Sequence, residues 1–198
     1  TIPTMANYNQ GLQNSLNEGN VYKKVLSENY LGVIFKPKIA SNLRKRLGDV
    51  NILLEEATKT GRCCVLEDDH SSHQSLIQPV LAGLASDVAV HGHLCAGTAA
   101  VECALANIPT LLVDREGSPF NKLYIELANK DIVYTNWKEA INFIIDNFNN
   151  PQKNKNFGIW PSEFLNEIDQ FRDGKAAFRI GNYLKSLIDG FNSGLIRE

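Results

Sequence analysis

The stretch Ser86–Gly117, SDVAVHGHLCAGTAAVECALANIPTLLVDREG, reads as strand, glycine-containing turn, helix and strand. Val88, Ala89 and Val90 make a short apolar strand, and His91, Gly92 and His93 break it. Gly97 and Thr98 open an alanine-rich helix, Asn107 and Pro109 close it, and Thr110 to Val113 follow as a second buried strand. A helix that starts after a parallel strand presents unpaired N–H groups and the positive end of its dipole, which suits a phosphate. Glu102 lies four residues beyond Thr98, so both project from one helix face. A carboxylate there can take a ribose diol while Gly97 and Thr98 hold the phosphates. The competing reading is a capped core helix with one solvated carboxylate. Against it, Glu102 sits among the core-like Val101, Cys103, Ala104 and Leu105.

Outward from this unit the same alternation repeats. Gly32 to Phe35, Cys63 to Leu66 and Ile132 to Tyr134 read as further short strands. Between them, Leu43 to Ala57 carries helical spacing, as do Leu76, Ile77, Val80, Leu81 and Leu84. Lys122 to Ala128 reads as a short helix, and Trp137, Ala140, Ile141, Ile144, Ile145 and Phe148 as the most regular one. Short apolar strands separated by helices predict a parallel sheet of about five or six strands with helices on both faces. Residues 1–20 are polar, rich in asparagine and without a period, which predicts a linker or the remnant of an upstream domain. Asn149 to Asn156 is a second linker-like break. Beyond it, Asp173 reads as the N-cap of an amphipathic helix with Ala177, Ile180, Leu184, Leu187 and Phe191 on one side, and Arg179 and Lys185 outward.

Composition narrows the function classes. Of 198 residues 43% are hydrophobic and 21% charged, with a net charge of −2. The apolar share supports a real core, and no basic stripe marks a nucleic-acid surface. No run reaches the length of a membrane-spanning helix, and the first residues lack the pattern of a signal peptide. A cytoplasmic protein is expected, in solution or peripheral to a membrane. Cys63, Cys64, Cys95 and Cys103 form no CxxC pair, so reduced core thiols are expected and no metal site. Cys95, near a helix start, is the one thiol placed for nucleophilic chemistry.

Other candidate ligands follow strands directly, where open α/β sheets bind their substrates. They are Lys36 and Lys38 around Pro37, His91 and His93 around Gly92, and Asp114 and Arg115 with Glu116 beyond. Lysines and histidines there can meet phosphate, and Asp114 and Arg115 a sugar or a phosphate. The loop Glu67 to His73, EDDHSSH, reads as an acidic helix cap.

Three segments, Ser86–Gly117, Gly32–Lys38 (GVIFKPK) and Phe171–Leu184 (FRDGKAAFRIGNYL), resemble the donor-binding C-terminal half of GT-B glycosyltransferases. The narrower resemblance is to bacterial surface and capsular polysaccharide biosynthesis proteins. It implies a Rossmann-like domain over residues 21–150, with a linker and C-terminal helices over 151–198. It also implies that Gly97, Thr98, Lys36, Lys38, His91 and His93 face donor phosphates, and Glu102 the ribose. The implied partners are a nucleotide-sugar donor, a glycan or lipid-linked acceptor, and an N-terminal domain that this chain lacks. The nucleotide-sugar is a substrate, so no cofactor is expected. The catalytic base of inverting members commonly comes from that N-terminal half, so the chain alone is expected to be inactive. A fragment of a sugar-nucleotide epimerase, a CDP-polyol phosphotransferase and a non-catalytic nucleotide-binding module are the alternatives.

Overall fold

Residues Val88, Ala89 and Val90 are all fully buried, yet they serve two different cores. Val88 and Val90 join a cluster with Val21, Tyr22, Val25, Leu54 and Ile144, whereas Ala89 packs with Cys103 and Ile108. Successive side chains of a strand point to opposite faces, so helices cover both sides of this one. The fold is therefore α/β, as the periodicity predicts.

A computed structural model describes residues 2–5, 11–37, 43–66, 77–92, 97–115, 117 and 119–194. Its strands are β1 (Ile2–Met5), β2 (Val33–Phe35), β3 (Cys63–Val65), β4 (Ala89–His91), β5 (Thr110–Val113) and β6 (Val133–Tyr134). Its helices are α1 (Gly11–Ser27), α2 (Leu43–Leu47), α3 (Asn51–Lys59), α4 (Pro79–Leu84) and α5 (Thr98–Leu105). They continue with α6 (Lys122–Leu127), α7 (Trp137–Asn149), α8 (Ser162–Ile168) and α9 (Ala176–Asn192). All strand pairs are parallel. β2 pairs with β3, and β4, β5 and β6 pair in turn; β1 lies between the two groups, giving the order β3-β2-β1-β4-β5-β6. The chain divides into two units, residues 1–161 and 162–198.

Two sequence expectations need correction. Residues 1–20, read as a linker, contribute β1 and the first part of α1. The helix read over Leu43 to Ala57 is broken into α2, a 3₁₀ turn at Gly48–Val50 and α3. Gly48 adopts φ 53°, a left-handed conformation that an α-helix cannot continue through. Beyond the break at 149–156 the chain packs back on the first unit. Phe157 to Trp160 returns to the sheet, where the Thr110 N–H donates to the Gly158 carbonyl at 2.7 Å and the Trp160 Nε1–H to the Thr110 carbonyl at 2.9 Å.

In the second unit the sequence FRDGK forms a tight turn. Asp169 Oδ1 accepts from the Phe171 and Arg172 N–H groups at 3.1 and 3.0 Å. Arg172 adopts φ 45° and donates to the Ser162 carbonyl and to Asn166 Oδ1. Asp173 stands two residues before the cap position of α9, which is Lys175, and not at it. Its carboxylate accepts from the Lys175 N–H at 3.0 Å and pairs with Arg179 at 2.5 Å. The Arg179 hydrogen bond holds the Asp173 carboxyl below its usual range, and the same guanidinium lies 3.7 Å from the Phe171 ring centre.

Candidate functional site

Register brings the candidate residues to one edge of the sheet. Phe35 and Val90 both pair with Thr4, so one step further Lys36, Met5 and His91 stand at one level. His91 in turn pairs with Leu112, two residues before Asp114. Lys36, His91 and Asp114 are 4%, 7% and 5% exposed; with Thr110 they are the buried polar residues among those described. Phe35, Val90 and Val113 belong to the core on the α1 and α7 side. Alternation therefore turns Lys36, His91 and Asp114 to the other face, the one α5 covers. Three buried polar side chains at a carboxyl edge, all on one face, are unusual for a purely structural sheet margin.

Each group is held from its own strand end. Lys36 Nζ donates to the Pro37 carbonyl at 3.0 Å, which folds the ammonium inward instead of leaving it solvated. The Asp114 N–H donates to the Tyr134 carbonyl at 2.7 Å and extends the β5–β6 ladder by one residue. Arg115 reaches across to β4, where Nη2 donates to the Gly92 carbonyl at 2.9 Å. That bond ties the two loops together, so Arg115 acts on the backbone around His91.

α5 begins at this edge. Gly97 is buried, sits at the cap position with φ −68° and ψ 5°, and supplies no side-chain cap. Thr98 and Glu102 are both exposed, while Ala100, Cys103 and Ala104 are buried, so the two polar residues share the outer face of the helix. Burial first, and the Glu102 charge second, push the Cys103 thiol up to about 11. A thiol so protonated at neutral pH is no nucleophile.

Several sequence candidates, Lys38, His93, Cys95, Glu116 and the loop Glu67 to His73, lie outside the described residues. Gly97, Thr98, Lys36, His91, Asp114 and Arg115 are thus placed at the carboxyl edge, with Glu102 one turn along α5. What the sequence did not suggest is the Arg115 bridge to Gly92, which joins residues 23 apart. A pocket of about 330 Å³ lies elsewhere, lined by Asp131, Phe143, Asp146, Asn147, Lys153 and Asn154 near the amino end of β6. It shares no residue with the candidate edge. Compared with protein-family models, with curated proteins and with solved structures, the chain matches none.

Proposed function

We propose that this chain binds a nucleotide-sugar donor across the carboxyl edge of its sheet, as the donor half of a GT-B glycosyltransferase of surface-polysaccharide synthesis. The observation that carries the reading is the set Lys36, His91 and Asp114, buried on the face where α5 begins. The strand order β3-β2-β1-β4-β5-β6 supports a Rossmann-like domain. In such sheets the chain reverses direction between β1 and β4, and ligands bind in the crevice beyond that point. His91 ends β4 at this crevice.

The chemistry follows from the charges. Sugar transfer leaves a nucleoside diphosphate, whose developing negative charge needs donors already in place. The first N–H groups of α5, the Thr98 hydroxyl and the Lys36 ammonium supply them. Glu102, exposed one turn further, accepts from the ribose hydroxyls. No base is assigned within this chain, so the proposal is for donor binding and transition-state charge stabilisation, with turnover requiring a further domain.

The test is calorimetric titration with UDP, CMP, CDP, GDP and dTDP. One nucleotide should bind, and Glu102→Ala should weaken it by about 1.5–3 kcal/mol, the worth of hydrogen bonds to a charged group. Binding unaffected by that change removes Glu102 from the site. If no nucleotide binds, the reading falls.

A further inference from the structure

The pocket at the amino end of β6 holds about 330 Å³. Small-molecule sites run from roughly 300 to 1,000 Å³, so it has room for one ring-sized molecule. Its residues come from three places at that end of the sheet. Phe143, Asp146 and Asn147 lie three and four apart on α7 and share one helix face. Asp131 stands just before β6, and Lys153 and Asn154 in the turn after α7. Hydrogen bonds within the chain fix these walls. Asp146 accepts from Lys153 Nζ at 2.6 Å on Oδ2 and from Asn150 Nδ2 at 3.2 Å on Oδ1. Asn154 Oδ1 accepts from the Asn156 N–H at 3.1 Å. The Phe143 ring is held by Tyr134 and Phe157, at ring-centre distances of 5.3 and 5.6 Å.

We infer that this pocket binds a single neutral sugar ring, at the end of the sheet opposite to the nucleotide edge. Its donors and acceptors choose the ligand. The Lys153 ammonium is spent on Asp146, and the Asp131 and Asp146 carboxylates both repel an anion, so a phosphate has no place there. Asn154 Oδ1 is occupied, which leaves the NH₂ of that amide as a donor. Asn147 Oδ1 is buried with no donor among the described residues, so the part of its amide that can meet the pocket is also the NH₂. Two such donors offer nothing to a cation. Asp131 adds an acceptor: the Tyr134 hydroxyl donates to its backbone carbonyl at 3.1 Å and leaves the exposed carboxylate to a ligand. The ligand must therefore accept and donate, carry no charge, and lay an apolar face on Phe143. Sugar hydroxyls meet the first two demands. The C–H groups of a pyranose meet the last, because the face of an aromatic ring is negative. The pocket shares no residue with the nucleotide edge, so either site can fail without the other.

Chemical-shift titration of the whole chain with the methyl glycosides of glucose, galactose, mannose and N-acetylglucosamine tests this. One of them should bind in the millimolar range and move the side-chain amide signals of Asn147 and Asn154. Asp131→Gly removes the acceptor, and glycine suits the φ of 54° at that position. Asn154→Asp keeps the oxygen that the turn uses and removes the donor. Each should weaken binding by about tenfold or more. If no glycoside binds, the proposal is overturned. Binding that neither substitution alters also overturns it, as does butylammonium or inorganic phosphate moving these signals where the glycosides do not. No probe carries a nucleotide, so a negative result leaves the donor edge to its own titration.

Discussion

Gly83 shows how little room a single atom has. A Cβ on this residue of α4 would lie 2.9 Å from both Cys103 Sγ and Ile108 Cδ1, closer than side-chain atoms approach. Its glycine is therefore a packing requirement, since its backbone needs no left-handed conformation. Gly83→Ala should destabilise the fold by about 1–3 kcal/mol in chemical denaturation, the usual cost of overfilling a core. Asp146 illustrates the opposite, exposed case. Lys153 Nζ at 2.6 Å holds its carboxyl below the ordinary range. A depressed folded value means stabilisation present above the unfolded carboxylate pKa and lost as pH falls through the folded one. Wild type should therefore exceed Lys153→Ala slightly in denaturation midpoint at neutral pH, and the gap should close below about pH 4. A gap that persists in acid would mean that Lys153 contributes by something other than this pair.

At the scale of the element, α1 is finished by a residue distant in sequence. Arg62, just before β3, donates from Nη1 to the Val25 carbonyl, to that of Glu28 at 2.6 Å and to that of Leu31 at 3.2 Å. A cation suits a helix C-terminus, where carbonyls are left without partners and the dipole is negative. Arg62→Met keeps much of the side-chain bulk but removes those bonds, and should cost about 1.5–3 kcal/mol. Amide exchange should quicken in the last turn of α1 before it quickens in α7; uniform quickening would argue against a local cap. Elements of this kind also show what a single sequence conveys. α5 and α7 were legible because their period is local: Asn136 caps α7 by accepting from the Glu139 N–H at 2.9 Å, three residues on. α1 was not, because its buried apolar residues gather late, at Val21, Tyr22 and Val25. β1 was missed because four residues, one of them Pro3, carry too little alternation to count. In the candidate site, the shared face of Thr98 and Glu102 follows from helix geometry alone. Burial of Lys36, His91 and Asp114 depends on strand register, which no local pattern specifies.

For the first unit as a whole, a distant segment completes the sheet. Phe157 packs in the main core with Phe143 and Phe148 at ring-centre distances of 5.6 and 6.2 Å. Gly158, at φ 64°, lets its backbone lie against β5, where an added Cβ would stand 2.8 Å from the Thr110 nitrogen. Both strain and clash oppose a side chain there. Gly158→Ala should lower stability by about 2 kcal/mol or more, read as an earlier midpoint in a single cooperative transition. If the midpoint holds while Trp160 fluorescence alone shifts, the segment is an ornament and not part of the folding unit.

The central place of β1 has a consequence in time. Of the six strands described it is made first, yet Thr4 pairs with Val90 on one side as well as with Phe35 on the other. A ribosome adding roughly 5–20 residues per second needs about 4–17 s to reach β4 after completing β1. For that interval β1 and β2 present an unfinished edge, open to any extended chain nearby. This sheet is therefore most in need of a holding chaperone before β4 is synthesised, and rare codons between Leu66 and Val88 would lengthen that exposure.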